Sequence, residues 1–237
     1  MDRLKIVVFS DLHPGDGTAA DNFGINHSVL VLNKIFEFRM QGFIVILNGD
    51  ILELMQFTFS QIASHYPNLI SILKRIGYVI GNHDKDVRKY LSINVMEEYT
   101  FGSNILVYHG HQDDKSMNPW IVRTALKAWA VIERLLGRKI STEVQDTPIS
   151  PNDPHYKGDK SEYIRNAFKR AKLRNYKIVV IGHTHEPGIF KRDDITVINT
   201  GTCAYKHLMY ATIIENDNGE LIPNLYVDGK LEEIKNG

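Results

Sequence analysis

Three features of the sequence predict an α/β fold. Five short apolar runs, rich in β-branched residues, each end in a cluster of Asp, Asn, His or Gly. A helix-spaced segment separates the first two runs, and the chain after residue 185 changes to closely spaced strands with Asn-Gly and Asp-Gly turn signals. Side chains placed just past several strand ends converge at one rim of a sheet, which is where α/β sheets usually hold their ligands.

In chain order, Ile6-Val7-Val8-Phe9 precedes Ser10-Asp11-Leu12-His13, and Phe43 to Leu47 precedes Asn48-Gly49-Asp50. Tyr78-Val79-Ile80 precedes Gly81-Asn82-His83-Asp84, and Ile105 to Tyr108 precedes His109-Gly110-His111. The fifth run, Ile178 to Ile181, precedes Gly182-His183-Thr184-His185. Between the first two runs, Val29, Leu32, Ile35, Phe36 and Met40 space a helix over 26–40, which Gly42 stops. A weaker helix is expected over 60–74, interrupted at Pro67. Residues 195–198, 209–214 and 221–227 read as further strands.

One segment differs from the rest in charge. Residues 115–175 carry 13 Lys+Arg against 6 Asp+Glu, a net of +7, and leave −7 on the remainder. Pro119 to Arg138 reads as an amphipathic helix with Arg123, Lys127, Arg134 and Arg138 on one face and Ile121, Ala125, Ala128, Ile132 and Leu136 opposite, either a surface helix with that apolar face in the core or a lid. Asp159 and Glu162 form a capping-box-like start to a basic helix that runs to about Arg174. The expectation is a single domain over 1–237, with 115–175 a helical cap inserted on the strand core.

Composition limits the function. Across 237 residues, 28 Lys+Arg balance 28 Asp+Glu, which argues against a general nucleic-acid coat or a polybasic membrane binder. Hydrophobic residues at 43% and charged residues at 24% are those of a globular chain, not a disordered one. The one cysteine, Cys203, excludes an internal disulfide framework and suits a reducing compartment, so a cytoplasmic protein is expected, with peripheral membrane association left open. The apolar run after Met1 is too short for a signal core, and no stretch of about 18 apolar residues is present to span a membrane.

Ten histidines are the unusual count, and six of them end predicted strands: His13, His83, His109, His111, His183 and His185. Asp11, Asp50, Asn82 and Asp84 stand beside them. Short polar residues after a strand commonly cap helices or fill turns, but capping does not require paired histidines. Imidazole, carboxylate and amide donors without thiolates suit borderline divalent ions, and there are enough here for two ions sharing one carboxylate. His27, His65, His155 and His207 lack such context and are expected at the surface, while Asp16 and Asp21 are expected to shape the loop after His13.

The ordered set Asp11-x-His13, Gly49-Asp50, Gly81-Asn82-His83-Asp84, His109-Gly110 and Gly182-His183-x-His185 resembles the calcineurin-like metallophosphoesterase family. The resemblance implies a four-layer α/β/β/α sandwich with a pair of divalent ions at one edge: manganese above all, with iron, zinc or nickel as alternatives. Carried over by position, it implies Asp11, His13 and His185 as ligands of one ion, Asn82, His109 and His183 of the other, and Asp50 as the bridge. His83 then resembles the histidine that assists the leaving group, with Glu53 as its orienting carboxylate and Asp84 as a second candidate. The implied reaction is hydrolysis of a phosphoester or pyrophosphate bond by a metal-bridging hydroxide. The implied substrate is a phosphorylated small molecule or nucleotide.

The subclass is left open. The second motif continues as Ile51-Leu52-Glu53-Leu54, without the arginine carried by the family's protein phosphatases. The Gly-Asp-x-x-Glu pattern and the cap are similar to UDP-2,3-diacylglucosamine hydrolases, although His83 and His111 stand where those enzymes commonly have Arg and Asp. A nuclease or cyclic nucleotide phosphodiesterase is a further alternative, kept by the basic insertion and disfavoured by the neutral balance. A non-catalytic scaffold is disfavoured because every ligand position and His83 are retained. His111 has two readings, a substrate or supporting residue and a merely local hydrogen-bonder. Arg123, Lys127 and Arg134 are either a solvated helix face or the charge that attracts an anionic substrate to a lid.

Overall fold

A computed structural model describes residues 3–113, 119–137 and 161–236, with several side chains between Pro119 and Arg134 outside that description. Among these residues the chain forms two sheets. The first has the order β12-β11-β10-β1-β2-β3-β4. Its members are β1 (Lys5–Phe9), β2 (Ile44–Asn48), β3 (Gly77–Val79), β4 (Val95–Met96), β10 (Met209–Glu215), β11 (Leu221–Val227) and β12 (Lys230–Leu231). The second has the order β13-β8-β9-β7-β6-β5, built from β5 (Glu98–Phe101), β6 (Ile105–Tyr108), β7 (Ile178–Ile181), β8 (Gly188–Arg192), β9 (Ile195–Asn199) and β13 (Lys235–Asn236).

Strand alternation builds the layers. On β1, Ile6 and Val8 point between the sheets and pack with Ile46, Val107, Val180 and Ile198. Val7 and Phe9 point outward, against Val31, Ile35 and Phe38 of α1 (Ile25–Met40) and the short helices α2 (Phe59–His65) and α3 (Pro67–Leu73). On the far side, Leu106, Val179 and Val197 pack beneath Ile164, Ala167, Phe168 and Ala171 of α5 (Glu162–Arg174). The result is the expected α/β/β/α sandwich. Strands buried on both faces have no polar face to show, which is why they read as continuous apolar runs.

The register sets the rim. β1, β2 and β3 run parallel, pairing Phe9 with Leu47 and Leu47 with Tyr78, so the first three motifs leave the sheet side by side. β6 and β7 are also parallel, pairing Val107 with Val180. Two bonds then join the sheets at this edge: Asn48 Nδ2 donates to the Tyr108 carbonyl at 3.1 Å, and His109 Nδ1 to the Asn48 carbonyl at 2.8 Å.

Several elements differ from expectation. Pro67 occupies the first turn of α3 and divides the weak helix over 60–74 into two. Ser161, not Asp159, is the N-cap of α5, which puts Glu162 at its first position, too early to close a capping box. α5, the last part of the expected cap, covers the second sheet as an outer layer of the sandwich. Residues 138–160 of the expected cap, with Arg138, His155 and Asp159, lie outside the described residues. On α4 (Pro119–Leu136), Ile132 and Leu136 are exposed instead of facing the core, and Glu133 is buried, accepting from Trp129 Nε1 at 3.2 Å. His27 is buried too: it shares the inner face of α1 with Val31 and Ile35 and bonds the Cys203 carbonyl at 2.9 Å. No helix among the described residues is long and apolar enough to cross a membrane.

The intersheet core should dominate stability. Ile46→Ala removes a fully buried side chain between the sheets and should lower the unfolding free energy by about 2–5 kcal/mol in urea titrations. Met40→Ala, at a position 88% exposed, should change it by less than about 0.5 kcal/mol.

Candidate metal centre

The five motifs meet at this rim. Ligand-capable atoms of Asp11, His13 and His185 lie within 4.8 Å of one another, and so do those of Asp50, His109 and His183. A third such group, His13, Asp50 and His83, overlaps both. His13 Nε2 faces His185 Nε2 at 3.2 Å and lies 3.8 Å from carboxylate oxygens of both Asp11 and Asp50. His185 Nε2 is 3.3 Å from Asp11, and His109 Nε2 is 3.1 Å from Asp50. Asp50 therefore stands between the two groups.

The backbone makes this convergence by unusual turns. Asp11, His13, Asp50, His183 and His185 all have φ between 48° and 74°, a left-handed region that side chains with a Cβ seldom occupy. The turns are pinned from neighbouring strand ends. Asp11 N–H donates to the Gly49 carbonyl at 3.1 Å, and Leu12 and His13 N–H to the Asp50 carbonyl at 3.0 and 3.1 Å. His183 N–H reaches the Asp11 carboxylate at 3.1 Å and His83 N–H reaches Asp50 Oδ1 at 2.8 Å. Two glycines make room: a Cβ on Gly81 would collide with Asp50, and one on Gly49, itself at φ 80°, would collide with the His109 ring.

Hydrogen bonds decide which nitrogen each ring presents. His109 donates from Nδ1 to a carbonyl, so Nε2 is the nitrogen turned toward Asp50. His13 gives Nδ1 to Glu53 at 2.8 Å, which likewise turns Nε2 to the centre. Two motif residues carry a buried atom without a hydrogen-bond partner: Asn82 Oδ1 and His109 Nε2. Buried polar atoms ordinarily find partners, so donors left open in the motifs that build the site fit a cation. The donor set is nitrogen and oxygen with no thiolate, which suits a divalent ion of the manganese, iron or zinc kind.

Electrostatics agree. Burial alone would raise the Asp50 and Asp11 carboxyls, but the histidines around them, His109 foremost, hold both below the ordinary carboxylate range. Glu53, also opposed by burial, is held down to about 2 by His83 and His13. Burial opposes charge on the rings as well, yet Asp50 and Asp11 lift His109 to about 9, and Glu53 and Asp50 raise His83. His13 is raised by its Asp11 and Glu53 bonds. In the metal-free molecule, protons on imidazoles balance charges that a cation would otherwise balance.

Glu53 is the partner of His83, with Oε1 2.8 Å from Nδ1. Asp84 is directed elsewhere: it accepts from Gly81 N–H at 2.6 Å, Ile51 N–H at 2.8 Å and the Tyr78 hydroxyl at 2.6 Å, and so anchors the loop that carries Asn82 and His83. His111 begins a short 3₁₀ turn with its ring 5.5 Å from that of His109 and a buried, unbonded Nδ1. Burial and the nearby His109 push it down to about 4. Lys127 is exposed, and the side chains of Arg123 and Arg134 lie outside the description. Asp21 shapes the first loop, accepting from Gly15, Gly17 and Phe23 N–H. Two rings that no motif pointed to border the centre: Tyr163 of α5, 5.5 Å from the His183 ring, and Tyr205, 6.4 Å from the His185 ring.

Two predictions follow from this arrangement. His109 and His13 titrate above the ordinary histidine value near 6.5, so their charge stabilises the metal-free fold fully below about pH 6.5, and that contribution fades as pH rises through about 9. Chelated protein should lose melting temperature over that interval, and manganese should restore more of it at about pH 8.5 than at about pH 6, where protons compete for the same nitrogens. Manganese that leaves the melting temperature unchanged at both would contradict the fit. Gly81→Ala, which drives a methyl group into Asp50, should weaken manganese binding by roughly 10–100-fold in calorimetry.

A family profile described as calcineurin-like phosphoesterase matches residues 4–187. Phosphodiesterase MJ0936 of Methanocaldococcus jannaschii is 27% identical over 118 residues, an alignment that spans 48% of this chain and 63% of that protein. Among solved structures, a predicted phosphoesterase of Streptococcus pneumoniae aligns over 96% of this chain and 91% of its own, at 17% identity and a TM-score of 0.45. YfcE, a phosphoesterase from E. coli, aligns over 95% and 100% at 14% identity and a TM-score of 0.45. The vacuolar protein sorting 29 protein of Cryptosporidium parvum aligns over 97% and 95% at 14% identity and a TM-score of 0.47. With the profile covering all five motifs, the chain belongs to the calcineurin-like phosphoesterase family.

Proposed function

We propose that this chain is a two-metal phosphodiesterase acting on a small phosphodiester, with manganese as its working ion, in the cytoplasm. The observation that carries the reading is the pair of donor groups that share the Asp50 side of the rim. In this reading Asp11, His13 and His185 hold one ion, Asn82, His109 and His183 the other, and Asp50 lies between them. When bound, the ions supply a nucleophilic oxygen at neutral pH and neutralise charge gathering on the phosphoryl oxygens. The choice of a diester draws on the similarity to the M. jannaschii phosphodiesterase.

The chain's own groups handle the leaving oxygen. Glu53 takes the Nδ1 proton of His83, so Nε2 is the nitrogen left to carry a transferable one. In the metal-free molecule Glu53 and Asp50 raise the pKa of His83, the direction that favours its protonated form. Because the same carboxylate also bonds His13, the acid and one metal ligand are oriented together. Buried Asp84 keeps the Asn82-His83 turn in place without touching the chemistry. We assign α4 to a cap over the rim, with Arg123, Lys127 and Arg134 drawing an anionic substrate toward it.

Bis(p-nitrophenyl) phosphate with added manganese tests the reading directly, and chelator should abolish turnover. His83→Ala should keep metal stoichiometry while lowering kcat by about 10²–10⁴-fold. Asp50→Ala should lose both. A loss of bound metal in His83→Ala would instead make His83 a ligand, which the third donor group also permits. Charge reversal at Arg123 and Lys127 should raise KM for anionic substrates with little change in kcat, and unchanged kinetics would remove the cap from the account.

A further inference from the structure

Beside His185 the chain makes a turn that residues with side chains avoid. Tyr205 and Lys206 are consecutive and both left-handed, with φ 53° and 70°, and the His207 N–H closes the turn on the Ala204 carbonyl at 2.9 Å. Two successive positive φ values are the place for Asn-Gly, and bulky residues there are strained. The other left-handed non-glycine residues among those described have evident reasons. Five are the candidate ligands, Asn175 ends α5, and Asp193 and Asp228 turn the β8–β9 and β11–β12 connections. Tyr205 and Lys206 have neither a helix end nor a hairpin to account for them.

The surroundings hold the turn firmly. Cys203 N–H donates to the carbonyls of Ser10 and Asp11, at 3.2 and 3.1 Å, and the Thr202 hydroxyl donates to the Asp11 carbonyl at 2.8 Å, so the segment is tied to the first ligand turn. Tyr205 N–H donates to the Asn22 carbonyl at 2.9 Å, and Asn22 Nδ2 donates to the Tyr205 hydroxyl at 2.9 Å. These bonds hold the residue at its backbone and at its hydroxyl, with its ring partly exposed and 6.4 Å from that of His185. Asn22 engages the hydroxyl, which leaves the aromatic ring as the feature set against the rim. Strain retained next to a reactive centre and enforced by neighbours points to use, not to folding.

We propose that Tyr205 is a specificity-determining residue whose ring stacks on a flat aromatic substituent, aryl or nucleobase, of a phosphodiester bound at the rim. This rests on the hydrolase reading above and adds the chemical class of its substrate. Stacking of a base on an aromatic side chain contributes about 1–3 kcal/mol, or roughly 5–150-fold in affinity.

The test uses the manganese-loaded full chain and two non-hydrolysable probes, phenylphosphonate and methylphosphonate, in calorimetry. Wild type and Tyr205→Phe should bind the phenyl probe at least about fivefold more tightly than the methyl probe. Tyr205→Leu should lose that ratio with methyl-probe affinity unchanged. Tyr205→Gly should lose it too while melting no lower than wild type, because glycine relieves the strained φ. A ratio near one in wild type, or an unchanged ratio in the Leu and Gly variants, overturns the assignment. Turnover of bis(p-nitrophenyl) phosphate reports separately on the hydrolase: turnover with no aromatic preference overturns the role of Tyr205 alone. Aromatic preference without turnover overturns the hydrolase and supports the stacking site.

Discussion

Charge balance in a buried place is the constraint from which the site follows. Asp11, Asp50 and Glu53 are each almost completely removed from water, and so are His13 and His109. Isolated charges so buried would be neutralised instead of tolerated. They persist because imidazoles and carboxylates alternate at 2.8–4.0 Å across two sheet edges. The left-handed turns, the glycine clearances and the bonds between the sheets all serve to bring those groups within reach of one another. A divalent cation in the same place would take over the balancing role of the protons.

Glu53 joins structure to chemistry. One carboxylate bonds His13, a candidate ligand, and His83, the candidate acid, and its own charge is sustained by both rings. Anything that moves Glu53 therefore moves the candidate ligand and the candidate acid together. Asp84 plays the complementary part on the backbone, gathering Gly81 N–H, Ile51 N–H and the Tyr78 hydroxyl so that the loop bearing His83 meets the Asp50 turn. Its burial, together with the nearby Asp50 charge, raises it to about 6. Its neutral form thus becomes accessible only in mildly acid solution, and the anchor stays charged where the site would work.

Much of this was legible in the residues because the central strands are covered on both sides. Ile6 to Phe9 and Ile178 to Ile181 read as unbroken apolar runs, and the polar clusters behind them marked the rim. Edge elements gave no such signal. Glu98 to Phe101 pairs on one side only and is partly exposed, so nothing in its pattern distinguishes it from a loop. Glu53 was reachable through the family resemblance, whose orienting carboxylate falls at this position, whereas its bond to His13 depends on how two loops pack. Sequence adjacency suggested Asp84 for His83, but neighbours on a tight turn point apart. His27 could have been read as buried, since it falls four residues before Val31 on the inner face of α1. Tyr205 carries no motif, and only its backbone conformation draws notice.

The central claim is that two cations sit close together around Asp50. Electron paramagnetic resonance of the metal-free protein titrated with manganese tests it most directly. The account predicts that the isolated-ion hyperfine pattern gives way to a spin-coupled spectrum as about two ions bind per chain. A spectrum that retains only the isolated-ion pattern at saturation, or shows no bound manganese, would contradict it.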